Sequence, residues 1–179
     1  MKKLEIKTQR LVLTPLNTGF LDSTHEYAGD IENCRFMCNL PNANKEETQA
    51  FLLECEQEWA KKEPEFFEFA VIYENNHIGA VSASIDSEQN CAEIGWIINK
   101  KYWRHGFATE AAKALVGYLS ADLLVTEFIA HCDSENAPSY RIMEKLGMSR
   151  TGEWGGRINR SSNKERREYE YRLTVGREV

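Results

Sequence analysis

Three apolar runs, FFEFAVIY at 66–73, IGAVSASI at 78–85 and CAEIGWII at 91–98, follow one another with only residues 74–77 and 86–90 between them. Parallel neighbours need a crossover of about a dozen residues or more, so gaps this short allow only hairpins. Glu74, Asn75 and Asn76 suit the first turn, and DSEQN at 86–90 suits the second. The chain is therefore built on an antiparallel three-strand meander, and everything else must pack against it.

The next segment changes period. After WRHGFATEAA at 103–112, Ala108, Ala111, Ala112, Leu115, Val116 and Leu119 recur every three or four residues, which predicts a helix of about three turns with one core face. VTEFIAH at 125–131 reads as a strand entered through that helix, a connection that lets it lie parallel to the strand ending at Ile98. Asn136 then caps a shorter helix, with Pro138 in its first turn, Ile142, Met143 and Leu146 on one face, and Gly147 as its stop. Residues 154–164 have a loop's composition, and 167–173 alternate as a last strand. Upstream, residues 11–16 form a strand and 21–27 a helix. Asn44 and Glu47 then make a capping box for a second helix carrying Phe51, Leu52, Cys55 and Trp59. The order describes an α/β (α+β) fold, a mixed sheet with helices on its faces.

A chain of 179 residues with 42% hydrophobic content supports one core, so a single domain spanning 1–179 is expected. The N-terminus MKKLEIKTQRL has no apolar stretch for a signal peptide, and no window is apolar enough to span a bilayer. The expectation is a soluble cytoplasmic protein with no membrane partner. Five cysteines, at 34, 38, 55, 91 and 132, are odd in number and scattered, which fits reduced thiols. Cys34 and Cys38 lack a second pair, so no metal is expected. A net charge of −6 argues against nucleic acid and suits a cationic substrate. RINRSSNKERR at 157–167 is basic, but without interleaved aromatics it reads as a solvated loop.

Gly106 stands between a strand and a helix. The N–H groups opening that helix have no helical partners and lie at the positive dipole end, and glycine lets a ligand approach the backbone closely. Arg104 and His105 add basic groups, so a phosphate or pyrophosphate is the natural guest. The spacing matches neither a P-loop nor a dinucleotide fingerprint.

A second element sharpens this: DSENAPSYRIMEKLGM, at 133–148. The two together resemble the GNAT superfamily of N-acetyltransferases, and within it the branch of RimJ- and RimL-type ribosomal-protein N-terminal acetyltransferases. TQRLVLTPL matches that branch's opening strand, AEIGWII its central strand, YWRHGFATEAAKAL its acyl-CoA loop and helix, and Asn136, Ser139 and EKLGM its late motif.

The resemblance implies the acyl-CoA N-acyltransferase fold: a mixed, mostly antiparallel sheet splayed between two central strands, with helices on both faces. It implies acetyl-CoA as co-substrate. Trp103, Arg104, His105, Gly106, Phe107, Ala108 and Thr109 become the pyrophosphate cradle, and Trp96, Ile97 and Ile98 contact the thioester arm, with a bulge near Gly95 opening the strand. Asn136 and Ser139 face the pantetheine and sulfur, and Asn136 also serves as helix cap. Glu93 is the candidate base, with Glu153 behind it. Met143 occupies the position where many relatives carry an acidic Tyr, so Ser139, with Tyr140 in reserve, is the candidate proton donor to the thiolate. Arg104 stands where the branch often has Gly. His25, His77 and His131 read as structural.

The implied reaction is acetyl transfer from acetyl-CoA to a primary amine, on a small molecule or a protein N-terminus, by a monomer or homodimer. The acceptor site is expected from residues 21–62 and 154–166, where Asp22, Glu26, Asp30 and Glu32 offer negative charge. Two alternatives stand beside it: a catalytically inactive acyl-CoA-binding sensor or interaction protein, and a phosphate-ligand binder with unrelated chemistry.

Overall fold

The computed structural model describes residues 4–176. The order is β1 (Ile6–Lys7), β2 (Leu11–Pro15), α1 (Leu21–Ala28), α2 (Lys45–Trp59), β3 (Phe66–Tyr73), β4 (Asn76–Asp86), β5 (Cys91–Ile98), α3 (Phe107–Asp122), β6 (Glu127–Asp133), α4 (Ala137–Lys145), β7 (Ser149–Ile158) and β8 (Glu165–Thr174). The strands form one sheet ordered β1-β2-β3-β4-β5-β6-β8-β7. Every adjacent pair is antiparallel except β5–β6, the pair joined through α3.

Alternation along β3 distributes the core. Phe67, Phe69 and Val71 point to the face covered by α3, where Phe107, Ala111, Leu115 and Leu119 are buried against them. Ala70 points the other way, where it meets Leu16 and the α2 residues Leu52 and Cys55. Phe69, Leu115, Leu119 and Phe128 are fully buried, and each such side chain contributes roughly 1.5–3 kcal/mol. Asn44 caps the helix as expected, its side chain accepting the Glu47 N–H at 2.9 Å, while Glu47 Oε2 reaches one residue further back than a capping box requires and accepts the Ala43 N–H at 3.0 Å.

Three expectations change. The helix after Gly106 has 16 residues and exceeds three turns, because it starts at Phe107 and runs past Leu119 to Asp122. Half of β7, residues 154–158, falls where a loop was expected, and the ladder to β8 reaches Ile158↔Glu165. Gly95 carries no bulge, since the β4–β5 ladder runs from Gly79↔Ile98 to Asp86↔Cys91 without a register shift. A side chain at Gly95 would crowd Ser82 Oγ at 2.9 Å, so close strand approach accounts for the glycine. The β3–β4 ladder does shift register, between Val71↔Gly79 and Ile72↔His77, which leaves Ile78 unpaired beside Gly79, where an added Cβ would sit 2.2 Å from the Ile97 carbonyl.

Candidate active site

The splay lies one strand over. β5 and β6 pair only through Cys91↔Glu127, Ala92↔Phe128 and Glu93↔Ile129. Beyond Glu93, residues 94–98 keep β4 on one side and, among the described residues, have no strand on the other. Alternate N–H and C=O groups of β5 therefore face open space, except the Ile98 carbonyl, which Trp103 occupies, and an extended amide-bearing arm can pair with them. The gap widens into a cleft of about 1430 Å³.

One end of the cleft is made of backbone. Gly106 caps α3 with φ 80°, a left-handed conformation that favours glycine, and uses no side-chain cap. The first helical bond is Glu110 N–H to Gly106 O at 3.0 Å, so the N–H groups of Phe107, Ala108 and Thr109 lie at the open positive end of the helix. The loop is pinned on both flanks. Trp103 Nε1 donates to Ile98 O at 2.8 Å, and Arg10 donates to His105 O at 3.0 Å while pairing with Glu110 at 2.7 Å. Arg104 also has a left-handed φ, 67°, which explains on physical grounds why a glycine suits this position.

Trp96, Ile97, Ile98, Trp103, Arg104, Gly106, Phe107, Ala108, Thr109, Asn136 and Ser139 all line the cleft. His105 does not. Its ring stacks on Phe107 with centroids 5.5 Å apart, and Nδ1 is 2.8 Å from Trp103 O, so it braces the loop. Asn136 Oδ1 accepts the Ser139 N–H at 3.4 Å, the capping geometry expected of it. Tyr140 stands outside the cleft, beside Tyr169 at 6.0 Å, and Glu153 of β7 is ion-paired with Arg167 of β8. Neither reaches the splay.

Glu93 sits at the point where the strands part. His131 Nδ1–H donates to Glu93 Oε1 at 2.9 Å, and His131 Nε2 lies 3.4 Å from Glu170 Oε2. The hydrogen bond from His131 lowers the Glu93 carboxyl below its usual range, and the same bond raises the imidazole above its usual value. Glu170 is pulled down to about 2, chiefly by its hydrogen bond from Arg172. His131 was the residue that sequence reasoning passed over. No local signal marks it: positions 93, 129 and 131 come onto one face only through the parallel pairing of β5 and β6. Arg141 and Lys145 of α4 also line the cleft and add positive charge to it.

The far wall comes from the α1–α2 loop and the β7–β8 hairpin. Arg157 donates to Phe36 O at 2.8 Å, and Arg160 donates from its backbone to Met37 O at 2.9 Å. Beneath them Asp133 is fully buried and accepts from Asn159 at 2.6 Å and Arg166 at 3.0 Å. Burial pushes that carboxyl up, but the Glu135 amide, Asn159 and Arg166 together hold it below its usual range. The acidic residues expected to attract an amine are largely paired already: Asp22 with Lys45, Glu26 with Lys101, and Asp30 and Glu32 with Lys100. Of these only Glu32 lines the cleft. The five cysteines are free thiols, and no helix of the described residues is long and apolar enough to cross a membrane.

Comparison with known proteins agrees with this geometry. Residues 10–149 match the family model described as "Acetyltransferase (GNAT) domain". An uncharacterized N-acetyltransferase of Bacillus subtilis strain 168, YnaD, is 30% identical over 153 residues, covering 83% of this chain and 85% of the relative. A GNAT-family acetyltransferase from Bacillus anthracis superposes with a TM-score of 0.81 at 30% identity, covering 96% of this chain and 98% of that one. The RimL ribosomal L7/L12 α-N-protein acetyltransferase, solved with coenzyme A, shares the fold at a TM-score of 0.83 and 14% identity, with 96% and 98% covered. A strand splay, a glycine-capped helix and a family match that spans both place this chain in the GNAT family, as an acyl-CoA-dependent acetyltransferase.

Proposed function

We propose that the protein transfers an acetyl group from acetyl-CoA to a primary amine, on a small molecule or a protein N-terminus, by direct attack at the splay. The observation that carries this reading is the position of Glu93, where β5 leaves β6 and the open backbone of residues 94–98 begins.

The residues present fit the co-substrate. The N–H groups of Phe107, Ala108 and Thr109, with Arg104, suit a pyrophosphate, and Trp96, Ile97 and Ile98 supply the backbone edge for the pantetheine arm. Acetyl-CoA brings the activated acyl group. The chain holds amine and thioester together, and that positioning supplies most of the acceleration. Glu93 accepts the proton that the attacking amine must lose, and an N–H of the unpaired β5 edge polarises the thioester carbonyl. Ser139 is the hydroxyl placed to protonate the departing sulfur.

A thiol-release assay with acetyl-CoA across small amines and N-terminal peptides tests the reading. Release that depends on an added amine, with matching acetylated product, supports it. Release with no acetylated amine contradicts it.

A further inference from the structure

Glu93 alone is an awkward base. Its side chain is 58% exposed and tethered only through Oε1, and a free carboxylate on a strand surface samples several rotamers. The structure supplies the constraint from the next strands. His131, on β6, is hydrogen-bonded through Nδ1 to Glu93 of β5 at 2.9 Å, and its Nε2 lies 3.4 Å from Glu170 of β8, within ion-pair distance. Glu170 is in turn fixed by Thr151 Oγ1 at 2.6 Å and Arg172 Nε at 2.8 Å. Four strands thus contribute to a chain of polar contacts that ends at the cleft.

We propose that His131 is a positioning residue for Glu93: seated between Glu93 and Glu170, it binds one carboxylate oxygen of Glu93 and leaves the other to the acceptor amine. This rests on the reading of Glu93 as the base. Glu93 Oε2 has no partner among the described residues, so it is the atom free to receive a proton. In the step itself the amine N–H bond breaks, the proton goes to Glu93 Oε2, and the His131 Nδ1–H remains on Oε1.

The two contacts of His131 are unequal, and this decides which proton is titrated. The shorter Nδ1 contact keeps its hydrogen in both charge states, so the proton lost as pH rises leaves Nε2, on the Glu170 side. Glu168 of β8, whose carboxylate pairs with Arg157 of β7, also acts on the imidazole, and Arg172 pairs with Glu170; Arg35 and Cys38 of the α1–α2 loop line the same cleft. While the imidazole is charged it holds Glu93 down as a weak base. Once the imidazole is neutral, Glu93 keeps its orientation and regains basicity. Turnover therefore rises with pH through the ionisation of His131, above the ordinary imidazole value of 6.5.

Asparagine at position 131 can present an N–H in place of Nδ1 without titrating. His131→Ala should lower kcat roughly 10- to 100-fold with the KM for acetyl-CoA unchanged, the loss expected for one charge-assisted hydrogen bond. His131→Asn should recover most of kcat and lack the ionisation above 6.5, while the acceptor amine's own ionisation stays in both profiles. In parallel, the His131 ring signals followed by NMR should titrate above 6.5 in the wild type and move back toward it in Glu93→Gln. A wild-type profile retained in His131→Asn, full turnover in His131→Ala, or an imidazole indifferent to Glu93→Gln would overturn the assignment of His131 alone. A wild-type protein that acetylates no amine would instead overturn the functional reading, and this inference with it.

Discussion

The two ends of the cleft perform different tasks with different materials. At the loop end, the groups that face a ligand are main-chain N–H donors fixed by Gly106 and α3, with Arg10, Glu110 and Trp103 serving as braces behind them. At the splay end the open β5 edge is joined by side chains, Glu93 and His131, with Glu170 of β8 behind them. Main-chain donors do not titrate near neutral pH, so the loop end should hold an anion over a wide pH range. The splay end is a line of coupled carboxylates and an imidazole, and its behaviour should change with pH. On the proposed reading, binding and chemistry are separable, with Glu93 at the junction of the two ends.

The largest expected effect breaks that separation from the chemical side. Glu93→Gln should lower kcat by roughly 10²–10⁴-fold, the usual contribution of a general base, with acetyl-CoA affinity nearly unchanged. Full activity in steady-state kinetics would remove Glu93 from its role. Second is the support beneath the splay wall. Asp133→Ala leaves Arg166 and Asn159 without their buried partner and should cost about 3–5 kcal/mol in denaturant unfolding. A loss below about 1 kcal/mol would show that the hairpin is held by its backbone ladder instead.

Gly106→Asp probes the loop end. A β-carbon and a negative charge at a left-handed helix cap should weaken acetyl-CoA binding by roughly tenfold or more, while kcat at saturation is largely kept. Equal affinity would mean that the cap does not meet the phosphates.

The smallest effect concerns a carboxyl that belongs to neither end. Glu68 on β3 is buried, and desolvation pushes it up to about 8. Because the folded state holds its proton more tightly than the unfolded chain, this group favours folding fully below about pH 4.5. That contribution is lost as pH rises toward 8. Glu68→Gln should therefore raise Tm at pH 8 more than at pH 5, by roughly 2–4 °C for each kcal/mol removed. Equal shifts at both pH values would place an ion partner at Glu68.

What could be read from the sequence follows from the same contrast. Gly106, the Asn44 cap and the meander of β3, β4 and β5 depend on neighbours within a few residues, and each left a local signature. β7 left little, because nearly all of its residues are exposed and Gly152, Gly155 and Gly156 imitate a loop; its pairing with β8 defines it. The polar line at the splay is invisible for a related reason. His131 meets Glu93 from 38 residues away, and the contact exists only once β5 and β6 lie parallel in one particular register. A lone histidine on a strand carries no sign of that. Position 105 shows the reverse: a basic residue in the loop suggested a phosphate ligand, whereas its ring packs on Phe107 and supports the turn.

The central claim is that a backbone cradle and an open β5 edge together form the co-substrate site, and calorimetric titration with acetyl-CoA and with 3′-phospho-ADP tests it most directly. The account predicts saturable binding of both, with the whole molecule tighter because its arm pairs along residues 94–98. Equal affinities would contradict the open-edge assignment, and no binding of either would contradict the site itself.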